Sequence, residues 1–214
     1  MLSVNNIYKS FNRLNILNDV SFSQNKGEAI VLMGKNGSGK STLLRIISRI
    51  MKADSGSIVF NDNDLLSSNN AHRKNMFYIG HEPGMYSFFS PFENLKFLLK
   101  TRELSSKIKN INEKLEYYGL IEFSSTPISV FSKGMLQKLK LAQIDLINPD
   151  LLLFDEPYTS LDGDGILLVD RLIESIKKQN KSLILVLHDE IKAKKYADYI
   201  LTLEMGKVFK KSAS

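Results

Sequence analysis

The stretch Ala29-Ile30-Val31-Leu32-Met33-Gly34-Lys35-Asn36-Gly37-Ser38-Gly39-Lys40-Ser41-Thr42 decides the reading of this chain. Its first five residues are apolar without a break, as in a strand buried on both faces. From Gly34 to Ser41 it fits G-x-x-x-x-G-K-[ST] in full. A helical pattern, Ser41 to Met51, follows at once. The spacing has a chemical reason. Glycines let successive backbone N–H groups turn toward an anion, and the helix N-terminus behind them carries partial positive charge. Lys40 adds a full charge for the β- and γ-phosphates, and the Ser41 hydroxyl can reach Mg²⁺. The loop Gly34, Lys35, Asn36, Gly37, Ser38, Gly39, Lys40, Ser41 and Thr42 therefore reads as a nucleoside triphosphate site.

A second apolar run, Leu151 to Phe154, ends in Asp155 and Glu156. A buried strand of this kind delivers its acids to its C-terminal end, where ligands bind in open α/β sheets. Asp155 is then placed to hold Mg²⁺ through water, and Glu156 to orient or deprotonate an attacking water.

Outward from these two strands, Leu183 to Leu187 is a third buried run, and Ser57 to Phe60 and Phe77 to Ile79 are shorter strand patterns. Helical patterns cover Pro91 to Arg102, Ser105 to Tyr118, Gly134 to Ile147, Ile166 to Gln179 and Glu190 to Asp198. Strands alternating with helices predict an α/β fold with a parallel sheet. The helices between Pro91 and Ile147 come without a strong strand among them, which predicts an inserted helical subdomain. Leu2 to Ser23 is strand-like and predicts a small antiparallel piece, and the polar run Asn61 to Asn75 predicts a surface loop.

The 214 residues suit one domain with an appendage. Cys is absent, which excludes a disulfide scaffold and a thiolate metal site. The net charge of +6 favours an acidic partner: nucleotide, nucleic acid or an anionic membrane surface. No segment approaches the roughly 18 consecutive apolar residues of a membrane span, and Met1 to Asn15 lacks the apolar core of a secretory signal.

The order of further motifs resembles the ATP-binding subunit of ABC transporters over essentially the whole chain. Tyr78-Ile79-Gly80-His81-Glu82-Pro83 stands at the place of that family's glutamine loop. Phe131-Ser132-Lys133-Gly134-Met135 resembles the signature motif, ordinarily LSGGQ. Asp155-Glu156-Pro157 runs into Thr159-Ser160-Leu161-Asp162, like the D-loop, and Leu187-His188-Asp189 resembles the switch histidine after its strand. Ile7-Tyr8-Lys9-Ser10-Phe11 matches the segment whose aromatic stacks on adenine, with Phe11 the expected residue and Tyr8 its competitor. The resemblance implies a P-loop NTPase (RecA-like) core spanning 1–81 and 151–214, with the helical subdomain at about 82–150.

It also implies a cofactor, MgATP, and a set of roles. Lys40, Glu156 and His188 would be catalytic, and Ser41, Glu82 and Asp155 would serve the metal. Phe11, the phosphate loop, Ser132, Gly134 and Asp162 would bind nucleotide, Ser132 and Gly134 from a second ATPase subunit that completes the site. Glu82 departs from the usual Gln and brings a negative charge beside the γ-phosphate. Met135 departs from the usual Gln of the signature. Lys133 is either a solvated surface residue or a contact to the opposite γ-phosphate, and Lys192, Lys194, Lys195, Lys207, Lys210 and Lys211 read as solvated helix and tail positions.

The implied activity is ATP hydrolysis coupled to transport through a transmembrane permease, with the chain on the cytoplasmic face of the cell membrane and no direct contact to nucleic acid. SKGM-type signatures, Gly80 to Gly84 and Phe92 to Phe97 resemble exporter ATPases, among them haem exporters of cytochrome c biogenesis and drug and polymer exporters. The rival from another class is a soluble ABC ATPase acting on ribosomes or DNA.

Overall fold

The computed structural model describes residues 1–65, 75–82 and 84–212. The chain divides into two compact units. The first comprises Met1–Tyr78, Asp150–Glu156 and Ile176–Ser214; the second comprises Ile79–Pro149 and Pro157–Ser175.

The first unit contains most of a six-stranded sheet in the order β10-β9-β3-β8-β7-β6. Its centre is β3 (Ala29–Met33), parallel to β8 (Ser182–Val186) and to β9 (Tyr199–Glu204), with β7 (Leu151–Asp155) parallel to β8. β6 (Met76–Ile79) lies at one edge, and β10 (Lys207–Ser212) runs antiparallel to β9 at the other. All five residues of β7 and of β8 are buried, which is why these strands are unbroken apolar runs rather than alternating ones. A four-stranded antiparallel sheet, β2-β1-β4-β5, is built from β1 (Leu2–Phe11), β2 (Leu14–Gln24), β4 (Ser55–Phe60) and β5 (Asn63–Asp64). Helix α1 (Lys40–Ile47) buries Leu43, Leu44, Ile46 and Ile47 in one cluster with Val4, Ile30, Leu153 and Val186. At roughly 25 cal/mol per Å² of apolar surface, this shared core is what fixes α1 and its N-terminal loop against the ends of β3 and β7.

The second unit holds α2 (Pro91–Thr101), α3 (Ile111–Tyr117), α4 (Lys133–Ile147) and most of α5 (Gly163–Lys178). Ser90 caps α2 with a full capping box: its hydroxyl accepts from Glu93 N, and the Glu93 carboxylate accepts from Ser90 N. Helix α6 (Glu190–Tyr196) belongs to the first unit, where Asp189 caps it through Ile191 N and Lys192 N.

Several expectations need correction. The helix expected over Ser105 to Tyr118 is split: Ser105–Asn110 is a 3₁₀ turn without a buried residue, and α3 begins only where Ile111 and Leu115 supply an i,i+4 apolar pair. The helix after the phosphate loop stops at Ile47 instead of Met51, because Arg49 takes a left-handed conformation (φ 60°). Helix α5 starts three residues before Ile166, since Asp162 Oδ1 accepts from Gly165 N at 2.7 Å and caps it. Lys207, Lys210 and Lys211 are not on a tail: they sit on β10, with the Lys210 ammonium 3.8 Å from the Tyr199 ring centre. Of the polar run Asn61 to Asn75, residues 66–74 lie outside the described residues, as does Pro83.

Candidate active site

Strand β3 ends at Met33, and the chain then enters the loop that opens α1. Gly34, Gly37 and Gly39 have φ of 147°, 77° and 104°, a region that side chains disfavour. Two of them also lack room for one. A Cβ on Gly34 would meet Leu203 O at 2.5 Å, and one on Gly39 would meet Ile16 Cγ2 at 2.9 Å. The first turn of α1 carries no acid and no side-chain cap, so its backbone N–H groups are left for an anion. Ser38 Oγ is buried and lacks a hydrogen-bond partner among the described residues. An orphaned hydroxyl of this kind suits a phosphate oxygen.

Lys40 is nearly buried at the start of α1, and its Nζ donates to Gly34 O at 2.8 Å and Lys35 O at 3.0 Å. Burial lowers its pKa below the ordinary 10.5, and the charges of Glu156 and Asp155 oppose that shift. A triphosphate would act in the same direction as those carboxylates and hold the ammonium charged.

A cavity of about 330 Å³ joins this loop to the residues expected around it. Lys40, Ser41 and Thr42 line it on one side, Phe11 and Ile16 on another, and Glu156 also faces it. Phe11 ends β1 with 43% of its surface exposed, enough for a ring to be covered by a flat ligand. Tyr8 pairs instead with Ser55 of β4.

Asp155 is the last residue of β7 and is 4% exposed. The next residue, Glu156, leaves the strand in the left-handed region (φ 54°), unusual for a residue with a side chain and found where a site over-determines the backbone. This turn separates the roles of the two acids. Asp155 stays with the strand, while Glu156 is aimed so that its Oε1 lies 3.1 Å from His188 Nε2. Both members of that pair are partly exposed. Tyr78, on β6, opens the glutamine-loop stretch, but no role for its side chain is readable from sequence. Its phenol is raised by burial and senses both Arg45 and Asp155, so it belongs to the surroundings of the metal carboxylate. Oxygen donors from Ser41 and Asp155, completed by phosphates and water, match what Mg²⁺ prefers.

The second unit holds the other expected residues. Ser132 caps α4, its hydroxyl accepting from Met135 N at 3.2 Å. Lys133 is exposed in the first turn, which has no acid. A Cβ on Gly134 would lie 3.1 Å from Ser160 O, so glycine lets these two segments approach. Asp162 pairs its Oδ2 with Lys138 Nζ at 3.9 Å besides capping α5, which gives it a structural role whatever else it touches. Glu82 and His81 are exposed in the bend after β6.

This arrangement, strand–phosphate loop–helix beside a strand ending in Asp-Glu and a histidine, defines a P-loop nucleotide-binding protein. The family model described as "ABC transporter" matches residues 17–159, and the chain belongs to this family as an ABC ATPase domain. The lantibiotic transport ATP-binding protein SrtF of Streptococcus pyogenes is 34% identical over 212 residues, covering 97% of this chain and 89% of the relative. The phosphonates import ATP-binding protein PhnC of Fusobacterium nucleatum subsp. nucleatum is 33% identical over 230 residues, covering 100% and 93%. A solved structure described as an ATP-binding subunit of an ABC transporter superposes with a TM-score of 0.91 at 28% identity, over 99% of this chain and 90% of that one. The fold class read from sequence is thereby established, and so is ATP binding. The relatives include both transport directions: beside the phosphonates import protein stands the cytochrome c biogenesis ATP-binding export protein CcmA of Vibrio cholerae, 28% identical over 191 residues, covering 89% of this chain and 92% of the relative.

Proposed function

We propose that this chain is the ATP-hydrolysing subunit of a membrane transporter working in the direction of export. The observation that carries hydrolysis is the Glu156–His188 pair: Glu156 lines the same cavity as the phosphate loop and Phe11 and is held 3.1 Å from the imidazole.

Phe11 covers the adenine, and base stacking of this kind contributes roughly 1–3 kcal/mol. Lys40 and the N–H groups of the loop neutralise the β- and γ-phosphates. Ser41 and Asp155, with Glu82 as a further donor, would hold Mg²⁺, which would supply positive charge for the phosphate oxygens. Glu156 accepts the proton of the attacking water, and His188 fixes the carboxylate and the γ-phosphate side of that water. Ser132, Gly134 and Asp162 of a second copy complete the site, the N-terminus of its α4 aimed at the γ-phosphate. ATP then holds two copies together, and its hydrolysis loosens them.

The membrane partner is expected on the second unit. Tyr86, Phe89 and Phe97 form a ring cluster with centroids 5.0–6.4 Å apart, and Phe88 beside them is 86% exposed. The backbone that displays them is rigid. Buried Asn94 accepts from Tyr86 N and donates to the carbonyls of Tyr86, Phe89 and Ser90. An exposed aromatic group on a stapled loop is the composition of an interface hot spot. A coupling helix of the permease seated on this cluster would hold the chain at the inner membrane face; among the described residues no helix of the chain itself is long and apolar enough to cross a membrane.

Two outcomes check the partner and the direction. Replacing Tyr86 and Phe88 together by Ser is expected to abolish co-purification with the permease while basal ATP hydrolysis persists; retained co-purification would move the interface elsewhere, and recovery of ribosomes or DNA instead would refute the transporter reading. Export is supported by the Ser132-Lys133-Gly134-Met135 signature and by the likeness to the export protein of cytochrome c biogenesis. Inverted membrane vesicles bearing the transporter should take up cargo on addition of ATP, whereas ATP-driven uptake by right-side-out vesicles loaded with ATP would reverse the assignment.

A further inference from the structure

A charged residue in the middle of α4 is buried, in a setting that ordinarily holds an apolar or small side chain. Lys140 is 4% exposed and flanked by the fully buried Leu139 and Leu141. Its Nζ donates to Gly80 O at 2.9 Å and to His81 O at 2.7 Å. These two carbonyls belong to consecutive residues immediately before Glu82. One turn earlier on the same helix, buried Gln137 donates from Nε2 to Pro157 O at 2.8 Å, the residue after Glu156. Helix α4 thus grips the backbone of two loops of its own unit, each bordering an acid of the proposed site, and its N-terminus is the Ser132 cap.

We infer that Lys140 is a positioning residue that holds the loop carrying Glu82 and ties it mechanically to α4. A lysine suits this task better than an apolar side chain. Its ammonium can bond two consecutive carbonyls that both point toward the helix, and hydrogen bonds to a charged donor are the strong ones. A buried lysine without such acceptors would pay the full cost of desolvation, so the loop and the side chain hold each other in place. Displacement of α4 along its axis, as when its N-terminus meets an anion, is passed to residues 80–82 through two short bonds. The role for Glu82 rests on the proposed function; the grip of Lys140 on the loop does not.

The test uses hydrogen exchange of the whole chain and two variants. In nucleotide-free protein, Lys140→Met is expected to speed exchange in the peptide containing residues 80–82 by about 10-fold or more, the scale set by losing a charge-assisted bond. Lys140→Arg, which keeps donors, should restore slow exchange there, a rescue that a mere packing role would not give. Melting and far-ultraviolet dichroism of Lys140→Met should stay near those of the parent, because Met fits a helix interior. Unchanged exchange at residues 80–82 in a folded Lys140→Met protein overturns the inference, as does fast exchange in Lys140→Arg equal to that of the Met variant. A second readout bears on Glu82: at saturating ATP the Mg²⁺ concentration for half-maximal turnover should rise several-fold in Lys140→Met. If exchange responds and Mg²⁺ dependence does not, the grip stands and the assignment of Glu82 to the metal fails.

Discussion

Glu156→Gln is expected to lower steady-state ATP turnover by about 10²–10⁴-fold, the span associated with a positioned general base, while ATP still binds. The substitution is nearly isosteric, and an amide oxygen can still meet the His188 ring, so the 3.1 Å contact and the turn at φ 54° need not be lost. What disappears is the ability to take a proton from water. The change also removes a carboxylate that competes with phosphate for Lys40, since Glu156 is the larger of the two opposing charges that act on that lysine. Affinity for ATP should therefore hold or tighten. Phosphate release assays and a titration with a fluorescent nucleotide separate the two quantities. Turnover equal to that of the parent would remove Glu156 from its assigned role.

Lys40→Ala should do the reverse and strike binding itself. A hydrogen bond to a charged group contributes about 1.5–3 kcal/mol, which corresponds to roughly 10–100-fold in affinity. The folded protein should survive the change. Burial lowers the Lys40 pKa, so the folded chain binds fewer protons at this site than the unfolded chain between that lowered value and 10.5. Stability from this group consequently rises with pH across that window, and below it the buried charge opposes folding in full. Lys40→Met, which keeps the stem and drops the charge, is expected to melt no lower than the parent without nucleotide and to lose the stabilisation that MgATP confers. An undiminished shift in melting temperature with MgATP would show that the phosphates are held elsewhere.

The parts legible in sequence were those where local chemistry dictates residue type. Gly34 and Gly39 must be glycine for φ and for the space before Leu203 O and Ile16, and their spacing from Lys40 is therefore readable without a structure. Leu151 to Asp155 reads as a strand because both its faces are buried. The misreadings lie where tertiary contact overrides a local pattern. β10 carries Lys207, Lys210 and Lys211 and reads as a tail, and it is pairing with β9 that brings it into the sheet. The Asp162 cap was obscured by Gly163 and Gly165, which alone suggest a loop. Ile16 and Lys140 carry no motif, and Tyr78 only opens the glutamine-loop stretch without a role of its own there. Their importance arises from positions distant in sequence, 23 residues to Gly39 for Ile16 and 60 to Gly80 for Lys140. A lysine between two leucines on a helix normally reads as a solvated face, and nothing local announces that its neighbours are buried on both sides.

The central claim is that ATP is bound and cleaved in a site that one copy cannot complete. Light scattering on the Glu156→Gln variant, coupled to gel filtration with and without MgATP, tests it most directly. The expected result is the mass of a single chain without nucleotide and twice that mass with MgATP, with one ATP retained per chain. A single-chain mass at saturating MgATP would contradict it.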